Sequence, residues 1–337
     1  MAILNCLSKN IPVLCYHDIG SEGGQSLKLF EEHLQVIKEM NFTSISAKKL
    51  YQIITREKKI AEKYIVLTFD DGHISNWLHV IPLLKKYNLK GIFFVITDFI
   101  IEGKKRTLND IVSLNKLSNA FRSVLISSDY SQFMNMSELK SIIEDYGMEV
   151  YAHSSRHTPC FISLEKKDIF ISSSHWGVNA IYSPEQKGLP VFPIGSAYVY
   201  NGYWPVKGKQ TQEKYMEIDG VFFRKRTTEE RYNFCMDDFK RCYEKIRTIN
   251  KSELQFFCWP WGHFDKVSLQ AIKDTGFQGA FTLERFYNGP GSNPFRICRI
   301  GVGKKKTGTW LRNRLLMHST SIGSRLFFKF FRKKVRE

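Results

Sequence analysis

Tyr64-Ile65-Val66-Leu67-Thr68-Phe69-Asp70-Asp71-Gly72 is the stretch from which the rest of the sequence is read. Residues 64–67 form an apolar run of strand length, rich in β-branched side chains. The run ends on two adjacent carboxylates, and an unpaired charge at the end of a buried strand is disfavoured. Something must hold both negative charges, and a divalent cation is the simplest candidate. Gly72 then lets the backbone turn tightly beside the acids. The ordinary alternative is a strand-end turn, for which Asp-Gly is a common dipeptide.

A second signal, His153-Ser154-Ser155-Arg156-His157, follows the strand-like run 148–151. Two histidines four apart can meet one ion if the chain turns helically between them. They are equally readable as two polar loop residues. Taken together, Asp71, His153 and His157 make a set of two histidines and one carboxylate with room for water, the composition of a catalytic metal site. Asp70, beside that set, is then placed to act as general base.

With Thr68 to Gly72, His153 to His157 and Trp259-Pro260-Trp261-Gly262, the sequence resembles the polysaccharide deacetylase (NodB-homology) family, carbohydrate esterase family four. The resemblance runs from about Ile11 to Val302. It implies an α/β fold, a distorted (β/α) barrel, with inserted loops and a basic C-terminal tail. It also implies a metal-dependent hydrolase that removes N-acetyl, or less often O-acetyl, groups from sugars.

Leu14-Cys15-Tyr16-His17 closes a first apolar run. It resembles the strand ending in Tyr-His that opens poly-N-acetylglucosamine-type deacetylases, where this histidine supplies the general acid. Leu316-Met317-His318 matches the family's late Leu-x-His in form but lies in the basic tail. Phe192-Pro193-Ile194-Gly195 competes with Trp259 to Gly262 for the Pro-x-Gly motif. The later stretch is preferred because a strand-like run precedes it and a helix, a glycine and a strand follow. In many family members an arginine two residues before that proline orients the catalytic aspartate; here the position is Cys258. Arg224, Arg226 and Arg296 are the substitutes considered.

The 337 residues can bury one large core, so a single barrel over residues 1–303 is expected, with insertions near 98–135 and 169–231. Helices are expected over 29–40, 47–54, 80–87, 237–249 and 267–274, with another entered at Ser137 as N-cap and ending at Gly147. In the second insertion Tyr198, Tyr200, Tyr203 and Trp204 lie amid Gly and Pro. They read either as flat rings offered to a sugar or as aromatics pinning the loop to the core. Tyr203 and Trp204, with Trp259, Pro260 and Trp261, are the substrate-binding candidates.

Seven cysteines, odd in number and without a CxxC pair, indicate neither a disulfide framework nor a zinc ribbon, and fit a reducing compartment. Residues 1–10 lack a basic segment followed by a long apolar stretch, so no secretory signal is read. No apolar run reaches membrane-spanning length. Residues 304–337 carry eleven lysines and arginines against one glutamate, +10 of the net +17. Apolar residues, Leu326-Phe327-Phe328 and Phe330-Phe331 among them, alternate with these charges. That pattern suits an anionic membrane surface. A helix docked on the barrel and a nucleic-acid-binding tail are the rivals, and the tail has no recognised nucleic-acid motif.

The expected activity is hydrolysis of the N-acetyl group of an acetamido sugar, releasing acetate. Asp71, His153 and His157 would hold Zn²⁺ or a similar divalent cation, Asp70 would be the base and His17 the acid. The expected setting is the cytoplasmic face of a membrane, with a lipid-linked glycan precursor as substrate. A cytoplasmic cyclic amide or imide hydrolase, and a non-catalytic glycan-binding, membrane-associated protein, are the alternatives.

Overall fold

Alternation along one strand separates the two sides of the barrel wall. In the computed structural model, which describes residues 10–111, 113–206 and 215–331, strand residues Ile65, Leu67 and Phe69 face the surrounding helices. Tyr64 and Val66 face inward, onto a second apolar cluster. Both faces are buried, as an all-parallel sheet requires.

The elements of the first half are β1 (Val13–Tyr16), α1 (Leu27–Glu39), β2 (Thr43–Ser44), α2 (Ala47–Ile54), β3 (Tyr64–Phe69), α3 (Ile81–Lys86), β4 (Ile92–Val95), α4 (Leu117–Ser127), α5 (Met136–Glu144) and β5 (Glu149–Ala152). A side layer follows: β6 (Pro159–Phe161), β7 (Asp168–Ile169), α6 (Trp176–Asn179), β8 (Pro190–Val191), β9 (Ile194–Ser196), β10 (Tyr203–Val206), β11 (Met216–Ile218) and β12 (Val221–Lys225). The chain then returns through α7 (Thr228–Arg247), β13 (Phe256–Cys258), α8 (Lys266–Thr275), β14 (Gly279–Phe281), β15 (Ile300–Gly301), α9 (Gly308–His318) and α10 (Ser321–Phe331).

The main sheet runs β14-β13-β5-β4-β3-β1-β15, parallel throughout, with β2 beside the start of β3. Residues 297–301 join its two edges. Ile297 bridges Phe281 at the end of β14, while Ile300 and Gly301 pair with Leu14 and Cys15 of β1. Helix α2 plugs the inner side with Leu50, Ile53 and Ile54.

Three expectations need correction, two of helix starts and one of the second insertion. Helix α5 starts at Met136, capped by Asn135, because the capping box joins Asn135 with Glu138 rather than starting at Ser137. Helix α7 begins at Thr228, nine residues before the expected start, behind a Thr227–Glu230 capping box. The 169–231 insertion is not a loop with rings on it. Its strands β9 to β12 join β6 in an antiparallel sheet, β11-β12-β10-β6-β9, around Phe161, Phe170, Tyr182, Phe192 and Phe223.

The tail is helical too. Leu311 and Leu315 of α9 are fully buried in the barrel's main cluster, so the packing extends past residue 303. In α10, Phe327 packs on the His318 ring at 4.9 Å and Phe328 on Phe286 at 4.9 Å, while Ile322 and Leu326 are half exposed. His318 is buried beneath α10, which leaves Leu316-Met317-His318 outside the barrel's cleft. Cys15, Cys160, Cys235, Cys242, Cys258 and Cys298 are free and buried. Cys6, the leader reading of the first residues and the charges after residue 331 lie outside the described residues. Among the described residues no helix is long and apolar enough to cross a membrane.

Candidate active site

The same alternation places the reactive groups. Val66, Thr68 and Asp70 share the inward face of β3, so the Asp70 carboxylate emerges at the carboxyl end of the barrel interior. The chain then turns with left-handed backbone at Asp71 (φ 70°) and Gly72 (φ 77°), which redirects the second carboxylate. A Cβ at residue 72 would lie 3.0 Å from Val95, so glycine answers both the turn and the contact.

After β5, residues 153–157 turn with positive φ at Ser154 (65°) and His157 (54°). The turn is therefore not helical, as the four-residue spacing had suggested. It nevertheless aims both imidazoles at one carboxylate. His153 Nε2 lies 3.4 Å and His157 Nε2 4.0 Å from Asp71 Oδ1. One ligand atom from each of the three residues falls within 4.8 Å of the others. His153 Nδ1 donates to the Cys258 carbonyl at 2.9 Å, so the neutral ring turns its Nε2 lone pair toward Asp71 and only the protonated ring donates to it. Two buried imidazole nitrogens and a carboxylate oxygen facing one point suit a divalent cation.

Charge shifts agree with this crowding. Burial raises the Asp71 carboxyl, but the hydrogen bond from His153 and the charges of His17, His153 and His157 bring it below the usual range. Burial lowers His153, yet the Asp71 hydrogen bond and the neighbouring carboxylates raise it overall. Burial and then the His153 charge push His157 down to about 3.

Asp70 has a partner that the sequence reading missed. Arg299 Nη1 and Nη2 donate to its Oδ1 and Oδ2 at 2.7 and 2.8 Å. The guanidinium is fully buried and also donates to Thr68 Oγ1 and the Thr282 carbonyl. Its Nη2 lies 3.0 Å from Cys258 Sγ, so the small thiol at the family's arginine position sits against a guanidinium arriving from another strand. Arg224 and Arg296 are instead paired with Glu230 and Glu284, and Arg226 donates to carbonyls of residues 197, 200 and 201. Burial raises the Asp70 carboxyl, but Arg299 and then His153 hold it well below the usual carboxylate range.

His17 lines the same cavity, of about 370 Å³, as Asp70, Asp71, His153 and His157. Its ring lies within 4.8 Å of both Cys15 Sγ and an Asp70 oxygen. The apolar wall of this cavity was only partly anticipated. Phe121 of α4 stacks on Trp176 of α6 at 4.4 Å, and Trp176 lies parallel to Trp261 at 6.0 Å. Trp261, at φ 57°, is half-buried with its ring 4.1 Å from His157. Trp259 borders the cleft, but its ring is fully buried against Phe239, Phe257 and Phe264, and Pro260 is buried in the turn. Tyr203 and Trp204 stand on β10; Trp204 lines a separate and larger cleft of about 590 Å³ with Arg156, Arg224, Arg226 and Arg241. Phe192 is in the core of the side layer.

Residues 57–202 match the family described as polysaccharide deacetylase. Protein YxkH of Bacillus subtilis (strain 168) is 36% identical over 90 residues, 26% of this chain and 32% of its own length. Poly-beta-1,6-N-acetyl-D-glucosamine N-deacetylase of Escherichia coli (strain K12) is 20% identical over 257 residues, 75% of this chain and 30% of its own. The chain thus spans about a third of the length of these relatives. Among solved structures, a de-N-acetylase from Aggregatibacter actinomycetemcomitans superposes with a TM-score of 0.61 at 18% identity, covering 90% of this chain and 99% of its own. IcaB from Ammonifex degensii superposes with 0.57 at 17% identity, covering 91% and 98%. The barrel is therefore of the polysaccharide deacetylase type.

Proposed function

We propose, from the premise that residues 57–202 belong to the polysaccharide deacetylase family, that the protein removes an N-acetyl group from an acetamido sugar of a glycan or glycan precursor. The observation that carries this is one cavity holding His17, the Asp70–Arg299 pair and the convergent Asp71, His153 and His157. Asp71, His153 and His157 would hold a divalent cation, Zn²⁺ being our choice from their donor set. When bound, the cation supplies Lewis acidity at the acyl carbonyl and at water, which lets a carboxylate as weakly basic as Asp70 accept a proton.

The rest falls to the chain's own residues. Arg299 fixes the plane of the Asp70 carboxylate. Asp70 takes a proton from water as that water adds to the acyl carbon. His17 gives a proton to the nitrogen as the C–N bond breaks, releasing acetate and a free amino sugar. The apolar wall of Phe121, Trp176 and Trp261 gives a sugar ring a face to lie against.

Acetate release from acetylated sugar nucleotides, lipid-linked sugars and oligosaccharides, with and without a chelator, tests the reading. Acetate from an acetamido sugar, lost on chelation and restored by Zn²⁺, is expected. No release from any of them by the metal-loaded protein overturns it.

The second part of the proposal is attachment to the cytoplasmic face of an anionic membrane, where a lipid-linked precursor is met. Exposed Ile322 and Leu326 beside Arg325 and Lys329 on α10 support it, whereas buried Leu311 and Leu315 give α9 a structural role. Ile322→Ser with Leu326→Ser should leave the fold intact and reduce binding to phosphatidylserine vesicles severalfold. Unchanged vesicle binding ends the membrane reading.

A further inference from the structure

The turn that carries both histidines is held from behind by one buried side chain of the helix layer. Asp238, on α7, is 3% exposed. Its Oδ1 accepts the Ser155 backbone N–H at 2.9 Å, and its own carbonyl accepts the Ser155 hydroxyl at 2.8 Å. Its Oδ2 accepts the Tyr198 hydroxyl at 3.0 Å, and Arg241 stands 3.9 Å away. Ser155 lies at the middle of residues 153–157, between two positions of positive φ. Such backbone persists only when its surroundings over-determine it. His153 at its start is also held, by its N–H on the Val95 carbonyl and its Nδ1 on the Cys258 carbonyl, whereas the rest of the turn has Ser154 Oγ accepting the His157 N–H and the Ser154 and Ser155 carbonyls accepting from Thr97 and Asp98.

A carboxylate buried this deeply is poor value for stability alone, since apolar packing does as well. What it supplies is a fixed donor–acceptor geometry at the apex of the turn, reaching it from α7 and from the side layer through Tyr198. We propose that Asp238, oriented by Tyr198, is a positioning residue that sets the spacing of His153 and His157 for a divalent cation. Through Tyr198 the side-layer insertion thereby acts on the histidine turn from behind, apart from the face that Trp176 gives the cleft. This rests on the reading of His153 and His157 as ligands.

The test measures cation affinity rather than turnover. Zn²⁺ dissociation constants are obtained by competition with a chromophoric chelator for the wild type, Asp238→Ala, Asp238→Asn and Tyr198→Phe. The absorption spectrum of each Co²⁺-loaded protein reports the ligand geometry, and thermal unfolding of each metal-free protein reports the fold. Outer partners of metal ligands typically contribute about 10–100-fold to affinity. Asp238→Ala should weaken Zn²⁺ by that order and shift the Co²⁺ bands. Asp238→Asn keeps an acceptor for Ser155 and a polar partner for Tyr198, so it should recover most of the affinity. Tyr198→Phe, the milder change if Asp238→Ala does not fold, should weaken Zn²⁺ severalfold. Wild-type affinity and spectrum in Asp238→Ala, or in Tyr198→Phe where the former is unfolded, overturn the proposal. A His153→Ala control that binds Zn²⁺ like the wild type overturns the ligand reading itself, and this inference with it.

Discussion

The parallel barrel and the smaller antiparallel side layer divide the labour differently. In the barrel, strand ends aim polar groups inward at one mouth: His17 follows β1, Asp70 and Asp71 follow β3, His153 follows β5 and Trp261 follows β13. The side layer spends its aromatic residues on its own core, and its reach toward the site is through Tyr198 and Trp176. A parallel sheet gives every strand the same direction, so function gathers at one end of it. An antiparallel sheet alternates directions and has no such end. Chemistry should therefore be sensitive to changes in the barrel mouth and nearly blind to changes on β10.

The largest expected effect is Asp70→Asn, which should lower turnover by about 10²–10⁴-fold while leaving bound Zn²⁺ stoichiometric. Near-normal turnover with a confirmed substrate would remove Asp70 from proton transfer. Next is Arg299→Met, which leaves the Asp70 carboxylate buried without its partner. Breaking a buried pair from one side typically costs about 3–5 kcal/mol, so urea unfolding should shift by that order. A shift under about 1 kcal/mol would mean that water replaces the guanidinium and that the barrel interior is less dry than its packing implies.

A smaller effect sets the helix layer apart from both. Burial raises the Asp238 carboxyl to about 6, against the hydrogen bonds from Ser155 and Tyr198. The unfolded chain's aspartate titrates near 3.9, so between these values the folded state holds the extra proton. This contribution to stability is full below about pH 4 and is lost as pH rises through about 6, a change on the order of 3 kcal/mol. Asp238→Asn in the metal-free protein should flatten the dependence of unfolding free energy on pH between 4 and 7. An unchanged slope would place the titration elsewhere. The smallest effect is expected for Trp204→Ala, with kcat/KM for a short acetylated oligosaccharide within about threefold of the wild type. A loss of tenfold or more would erase the contrast and bring the larger cleft into substrate binding.

Much of the mouth was legible because its parts obey local rules. An apolar run stops and a polar side chain follows at residues 17, 70 and 153, and each run became a strand of the one sheet. Arg299 was not legible as Asp70's partner: the sequence offers many arginines of equal character, and the three considered, Arg224, Arg226 and Arg296, did not include it. Alternation held the clue. Ile297 faces the barrel interior, so Arg299 two residues on shares that face and Arg296 does not. An inward arginine needs an inward acid. Asp238 was hidden differently, as one of two adjacent aspartates on a polar helix whose start was placed nine residues late. The strands of the side layer run two to five residues, too short for a period to declare itself, and β10 even contains Pro205.

The reach of Arg299 to Asp70 spans 229 residues of chain. Contacts of such separation close late, because long loops must be ordered before they are rewarded. At roughly 5–20 residues per second, a nascent chain carries the aspartate for about 10–50 s before the arginine is made. Throughout that interval β3 can pair with β1 and β4, yet its terminal carboxylate lacks the guanidinium that both its oxygens accept from in the finished fold. Asp70, followed at once by Asp71, is thus made 229 residues ahead of Arg299, and the buried pair at the mouth is completed only when the segment that joins the barrel's edges is in place.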